Sequence, residues 1–188
     1  MKKMTVAAVL TAMMGVASAQ VYVGGVVGQA RANLDCADFD LGCDKTDTGL
    51  KVLVGHKFNP VLAIEAAYVD FGKASGAFTL SGQRVNAHYE AHGALLAAVI
   101  RHAAHPQLSL VGRVGVSYLK TKGVGVVPSI DRRVTLTDSS VKPYLGIGLE
   151  FSLNKNLRLT ADADFTSAEL EGDTGALRML GVGVQYVY

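Results

Sequence analysis

Charged side chains stand singly within apolar segments along much of this 188-residue sequence. Carboxylates and cations placed in this way can serve as general acids and bases in an active site, or they can neutralise one another as buried ion pairs. Glu65, Arg113 and Glu150 each have an apolar residue or glycine on both sides. The same pattern includes Lys51, Glu90, His92, Arg158, Asp162 and Asp164, and Lys57 lies between His56 and Phe58. Their role depends on the elements that hold them.

The segments around these residues alternate between apolar residues and polar or small ones, which is the period of a β-strand. Eight such segments span residues 20–30, 48–58, 61–72, 85–101, 108–120, 140–153, 157–166 and 174–188. In the fourth segment, the alternation predicts that Leu95, Ala97 and Val99 face outward. Glu90 and His92 then face inward.

The connections between these segments differ in length in a regular way. Four long connections, at 31–47, 73–84, 121–139 and 167–173, alternate with three short ones at 59–60, 102–107 and 154–156. Long loops at one end and tight turns at the other, with an even number of strands, are typical of a transmembrane β-barrel. Strands of about 9 to 11 residues suffice to cross a membrane. We therefore predict an all-β fold, an eight-stranded antiparallel up-and-down transmembrane β-barrel, over residues 20–188.

The first nineteen residues have the organisation of a secretory signal peptide. Lys2 and Lys3 precede an apolar stretch, and Ala17-Ser18-Ala19 matches a cleavage site, so we predict that residues 1–19 are removed. Two of the 18 basic residues are lost with the signal, which leaves 16 basic against 16 acidic residues. A neutral chain argues against nucleic-acid binding, which needs a basic surface.

The interior of an eight-stranded barrel is just wide enough to be filled by side chains. Charges crowded there should pair, because an unpaired buried ion costs several kcal/mol. We predict a network that plugs the lumen, in which Arg113 and Lys51 are balanced by some of Glu65, Glu90 and Glu150. Arg158 and Asp162 belong to the same network. A catalytic role for the carboxylates is the alternative, but the pattern implies no water-accessible cleft for it.

Three stretches resemble the OmpA-like and opacity-protein barrels of Gram-negative outer membranes. They are YVGG at residues 22–25, the second strand with its turn, TGLKVLVGHKFNP, and the end of the third strand, AAYVDFGKAS. The resemblance implies insertion into the outer membrane by the β-barrel assembly machinery, with periplasmic termini and extracellular long loops. That machinery recognises a last strand like Gly183-x-x-Tyr186-x-Tyr188, although family members often end in phenylalanine.

Family roles include envelope integrity, adhesion and surface recognition. Fold analogy does not choose among them. The peptidoglycan-binding activity of larger members belongs to a further domain and is not carried over to this chain. We expect a non-enzymatic structural or surface-interaction protein. A small-solute channel and a lipid A-modifying enzyme are the alternatives. Eight-stranded lipid A deacylases carry a histidine and a serine two residues apart, and His88, His92, His102 and His105 lack that serine. We predict no catalytic, cofactor-binding or metal-ligating residues, since no cluster has zinc-like spacing.

The first long loop holds the two cysteines, Cys36 and Cys43. In an exported protein they are predicted to form a disulfide, and the rival interpretation is a metal or redox pair. Five aspartates at positions 35, 38, 40, 44 and 47 make this loop acidic. They lack the glycine and glutamate of a full EF-hand, so a solvated loop is favoured over a calcium site.

The third long loop is basic. Lys120, Lys122, Arg132 and Arg133 either contact the phosphates of lipopolysaccharide or are ordinary solubilising charges. Outer-membrane lipids and a host or surface ligand held by the long loops are the partners we expect.

Overall fold

Eight antiparallel strands close on themselves in a computed structural model that describes residues 21–33, 42–80, 83–127, 132–170 and 173–188. The eight barrel strands and one short additional strand, β2, are in chain order β1 (Val21–Ala32), β2 (Cys43–Asp44), β3 (Thr46–Lys57), β4 (Leu62–Leu80), β5 (Gln83–His105), β6 (Leu108–Val127), β7 (Arg132–Ser152), β8 (Leu157–Leu170) and β9 (Asp173–Val187). β1 pairs with β9 to close the cylinder, and the two-residue β2 lies beside β4. The predicted fold class is confirmed.

The strands are strongly staggered around the barrel. A register path that leaves β1 at Arg31 and crosses the other seven barrel strands returns to β1 at Val21, a displacement of 31 − 21 = 10 residues. A stagger of this kind tilts the strands and fixes the barrel diameter. Across the described residues, no helix is long and apolar enough to span a membrane.

Side chains alternate cleanly between the two faces of the wall. Outward-facing residues such as Val182 and Ile147 are exposed, at 64% and 63% of their surface. Inward-facing residues such as Val26 and Leu119 are buried and pack with Met179 in an apolar cluster in the loop-side half of the lumen. The apolar exterior and filled interior match a barrel whose solvent is lipid.

Three of the predicted long connections, at 73–84, 121–139 and 167–173, are mostly strand, which corrects the sequence interpretation. β4 and β5 remain paired until Leu80 faces Gln83, and β6 and β7 until Val127 faces Arg132. The predicted loops at 73–84 and 121–139 are therefore hairpins on strands of 19 to 23 residues. In β6 and β7, the segments beyond the apolar band contain several valines and threonines, among them Val124, Val126, Thr135 and Thr137, which favour extended backbone.

The faces of β5 are opposite to those predicted. Leu95, Ala97 and Val99 are buried in the lumen, whereas Leu96 and Ile100 are exposed on the outer wall. The error arose because residues 94–100 are apolar on both faces, so the sequence pattern does not show which face points into the lumen. Glu90 and His92, which were predicted to face inward, lie on the outer side with Leu96.

Candidate functional site

A central charge network crosses the lumen and joins four strands. Arg113 donates from Nε to Glu65 Oε1 at 3.0 Å and from Nη1 to Asp162 Oδ1 at 2.9 Å. Lys51 Nζ lies 2.6 Å from Asp164 Oδ2 and 3.5 Å from Asp162 Oδ2. The two cations and three carboxylates are buried. They form a connected plug in which each charged group has at least one opposite partner.

Two tyrosines hold the carboxylates of this central network in place. Tyr22 donates its hydroxyl to Glu65 Oε2 at 3.1 Å, and Tyr144 donates to Asp164. Both rings are buried in the lumen. Glu65 and Asp164 thus each receive a neutral donor besides a cation, which satisfies more of their lone pairs and offsets part of the cost of burying them.

A second cluster fills the end of the lumen nearest the tight turns. Glu150 accepts from Arg101 Nε at 3.2 and 3.1 Å and from Arg158 Nη1 at 3.0 Å. The Arg101 guanidinium lies 4.7 Å from the centre of the Tyr22 ring, and Lys57 Nζ lies 5.5 Å from it. Tyr22 therefore links this turn-side cluster to the central network through its ring and its hydroxyl.

Small residues make room for the plug at two close approaches. A Cβ added at Gly148 would lie 2.3 Å from Asp162 Oδ1, and one added at Gly55 would lie 2.0 Å from the Tyr22 ring. Glycine at these positions lets the charged and aromatic side chains reach across the barrel. The inward glycines are thus part of the plug rather than gaps in it.

Six of the seven residues predicted for the lumen network lie together in the lumen: Lys51, Glu65, Arg113, Glu150, Arg158 and Asp162. Glu90 is the exception, since its carboxylate pairs with Lys73 at 3.1 Å on the outer side. Sequence reasoning missed Arg101 as the main partner of Glu150. The reversed assignment of the faces of β5 explains both the wrong placement of Glu90 and the omission of Arg101. Arg101 lies on the same inward face as Leu95 and Val99.

The loop-side parts of β4 to β7 extend well past the shorter strands β1, β3, β8 and β9. We call residues 70–80, 83–92, 120–127 and 132–140 the tall half-wall. Its described side chains include Lys73, Lys120 and Lys122, and Lys73 pairs with Glu90. It is a hydrogen-bonded sheet surface at the end of the barrel that carries the long connections.

A β-bulge joins the tall half-wall to the barrel. Between Asp70 and Lys73 the register shifts, and Gly72 has a φ of 71°, which favours glycine. Asp47 of β3 accepts from the backbone N–H groups of Lys73 and Thr48, both at 2.7 Å. The hydrogen bond from Lys73 and then that from Thr48 hold the pKa of Asp47 below its ordinary value of 3.8.

The predicted assembly residues lie on the last strand. Tyr186 and Tyr188 face outward with ring centres 5.0 Å apart, and Gly183 faces the lumen, where a Cβ would lie 2.9 Å from Thr160 Oγ1. Cys43 lies in β2 and Cys36 lies outside the described residues, so the disulfide stays a prediction. Residues 1–19, the predicted signal, also lie outside them.

Comparison with known families gives one match across nearly the whole chain. The model of the OmpA-like transmembrane domain matches residues 16–186. Outer membrane protein A of Serratia marcescens is 25% identical over 146 residues, which are 76% of this chain. The chain spans 40% of the length of that relative.

Solved outer-membrane barrels have the same fold at low sequence identity. Ail, the attachment invasion locus protein of Yersinia pestis, solved in complex with the heparin analogue sucrose octasulfate, is 17% identical with a TM-score of 0.56. It covers 88% of this chain and 99% of its own. Neisserial surface protein A is 12% identical with a TM-score of 0.59, covering 89% and 97%. OprG of Pseudomonas aeruginosa is also 12% identical with a TM-score of 0.59, covering 90% and 96%.

Proposed function

The chain belongs to the family of OmpA-like transmembrane domains, and we propose that it is a non-enzymatic outer-membrane protein that stabilises the envelope or contacts surfaces, with its lumen plugged by charged side chains. The observation that carries this proposal is the buried ion-pair network around Arg113 and Lys51. Such a network fills the space that a solute or a substrate would need. The family resides in the outer membrane.

A small-solute channel is the alternative that the lumen argues against. The central network occupies the middle of the barrel, the turn-side cluster lies towards one end, and the apolar cluster around Leu119 and Met179 lies towards the other. An ion crossing the barrel would have to break buried charge pairs, each of which stabilises its partners against desolvation.

We place the termini in the periplasm and the long loops outside the cell, as the alternation of long and short connections favours. The long connections and the tall half-wall share one end of the barrel. In this orientation the tall half-wall projects towards the exterior. Tyr186 and Tyr188 of the last strand then lie at the periplasmic end, where we propose that the β-barrel assembly machinery engages them together with Gly183.

The tall half-wall is the surface that we propose contacts external partners. Lys120 and Lys122 are exposed on it, and Lys122 lies opposite Glu90, which pairs with Lys73. Ail was solved with a sulfated ligand, and a basic sheet surface here would suit a polyanion of that kind. The complementary charge supports a surface-contact role over a purely structural one.

A deletion strain tests this function against its alternatives. We expect its lipid A to be unchanged by mass spectrometry, while its adhesion to surfaces or its resistance to detergent falls. A strain carrying Lys120→Gln and Lys122→Gln should lose adhesion but keep detergent resistance. Altered lipid A acylation in the deletion strain would instead establish an enzyme and overturn the proposal.

A further inference from the structure

Two arginines face each other across the outer wall of the barrel. Arg31 of β1 and Arg178 of β9 are direct partners in the antiparallel register. Both are exposed, and their chain neighbours Ala30, Leu177 and Met179 are buried in the lumen, so both guanidinium groups lie on the outside. Side chains in such positions have Cβ atoms roughly 4.5–5.5 Å apart, and like charges directly opposite are destabilising.

Carboxylates of the described residues do not neutralise this arginine pair. Each ion pair within that part of the chain involves other cations, including Lys73 with Glu90 on the outer face of β4 and β5. The neighbour of Arg178 on β8 is Phe165, and that of Arg31 on β3 is Thr46. Among the described residues, the pair is therefore bordered by an aromatic ring and by the Thr46 hydroxyl, which donates to Asp44.

The arginine pair lies at the upper edge of the lipid-facing band. Four residues along each strand from the pair, 31 − 27 = 4 and 182 − 178 = 4, Val27 and Val182 face each other on the same outer side. Both valines are about half exposed or more, as lipid-facing residues are. Arginines at this depth sit where hydrocarbon gives way to phosphate groups.

An open apolar depression extends around the outer wall below the level of the arginine pair, from Val27 of β1 to Ile100 of β5. Its lining includes Ala161 and Ala163 of β8, whose small side chains lie between larger neighbours. In the register, Ala163 is flanked by Leu180 on β9 and Ile147 on β7. Phe165 continues the same face of β8 up to the level of Arg178.

We infer that Arg31, Arg178 and this depression together bind one phosphorylated acyl lipid, lipid A of the outer leaflet. A phosphate between the two guanidinium groups accepts charge-assisted hydrogen bonds and removes their mutual repulsion. An acyl chain of the same molecule lies along Ala161 and Ala163. A free phosphate ion satisfies the arginines but leaves the apolar depression without a function, which is why the lipid is the chosen ligand.

This inference rests on the proposed orientation, because lipid A occupies the outer leaflet. It does not depend on any contact made by the tall half-wall. In vesicles that contain lipid A in both leaflets the site can be tested in either orientation. Failure of the lipid site and failure of the surface-contact role are therefore separate results.

The experiment measures the urea midpoint of unfolding, by circular dichroism, in phosphatidylcholine vesicles with added lipid. The additions are diphosphoryl lipid A, dephosphorylated lipid A, phosphatidylglycerol or inorganic phosphate. The variants are Arg31→Gln with Arg178→Gln, the single Arg178→Gln, and Lys155→Gln as a charge-matched control in the turn at the other end of the barrel. Titration with diphosphoryl lipid A gives an apparent affinity for each protein.

We expect diphosphoryl lipid A to raise the midpoint of the wild type and of Lys155→Gln, and the other additions to raise it less. Each arginine replacement should weaken the apparent affinity by about tenfold, since a hydrogen bond between charged groups contributes on this order. In phosphatidylcholine alone the double variant should be at least as stable as the wild type. If the double variant does not fold, the same comparison is made between Arg178→Gln and the wild type.

Three results would overturn the inference. One is that diphosphoryl lipid A raises the urea midpoint of the double variant as much as that of the wild type. Another is a rise in the wild-type urea midpoint that is as large with dephosphorylated lipid A as with diphosphoryl lipid A, which would show that the phosphate is not recognised. The third is an equal gain from phosphatidylglycerol or inorganic phosphate, which would show that any anion suffices.

Discussion

Each charge inside this barrel is tolerable only because of its partners. Arg113 has two carboxylates within 3.0 Å, and Lys51 has one at 2.6 Å. Asp162 bridges the two cations, so removing one member exposes several others to an uncompensated interior. The plug therefore behaves as a connected unit, and its members should show non-additive effects when they are replaced.

Replacing Arg113 by alanine should destabilise the folded barrel by about 3–5 kcal/mol, because it leaves Glu65 and Asp162 buried without their main cation. Urea unfolding in vesicles measures this change. Lys155→Ala, in an exposed turn, is the control and should change stability by less than about 0.5 kcal/mol. A loss from Arg113→Ala as small as that of the control would show that the pairs contribute little.

Protonation of Asp47 should loosen the bulge between Asp70 and Lys73. Hydrogen bonds from the Lys73 and Thr48 backbone amides lower the pKa of Asp47 in the folded state. Its contribution is therefore present above pH 3.8 and is lost only as the pH falls through the lower folded value. The amide resonance of Lys73 should titrate with a midpoint below 3.8. Asp47→Asn should abolish that titration, and a midpoint above 3.8 would contradict the hydrogen-bonded geometry.

At the scale of strands, the alternation of apolar and polar residues predicted the positions of the barrel strands. It failed to assign the inward and outward faces where both faces are apolar. β9 alternates glycine with valine and tyrosine, so its faces could be assigned from the sequence. β5 is apolar on both faces between residues 94 and 100, and the pairing of its inward-facing Arg101 with Glu150 is a distant contact that periodicity does not reveal. The length of the β6–β7 hairpin also escaped prediction, because polar strand and polar loop have similar composition beyond the membrane.

The phase of β5 can be tested with a single fluorescent residue, since the chain contains no tryptophan. Leu96→Trp should be quenched by brominated lipids, because Leu96 is half exposed on the outer wall. Val114→Trp is the lipid-facing control, and Tyr144→Trp is the lumen control. Quenching of Leu96→Trp at the level of the Tyr144 variant would restore the opposite phase.

At the scale of the whole molecule, the barrel is a filled cylinder with two chemically different halves. Its loop-side interior is apolar around Phe71 and Leu119, and its turn-side interior combines the ions around Glu150 with an apolar cluster that includes Val99 and Val111. The tall half-wall makes the exterior just as uneven, because four strands rise past the other four. A rigid core with an asymmetric projecting surface suits a protein that presents contacts rather than one that moves solutes.

The filled lumen predicts the electrical behaviour of the purified protein. Wild-type protein in planar bilayers should give no large steady conductance, because ions would have to displace the pairs that Arg113 and Lys51 make with buried carboxylates. If Arg113→Ala still inserts, the lost side chain opens a gap beside Glu65 and Asp162, and small ions should leak through it. Lys155→Ala should remain silent, since Lys155 lies in an exposed turn outside the lumen. A wide, stable pore in the wild type would show that the charge network does not close the barrel, and the channel alternative would then replace the proposed function.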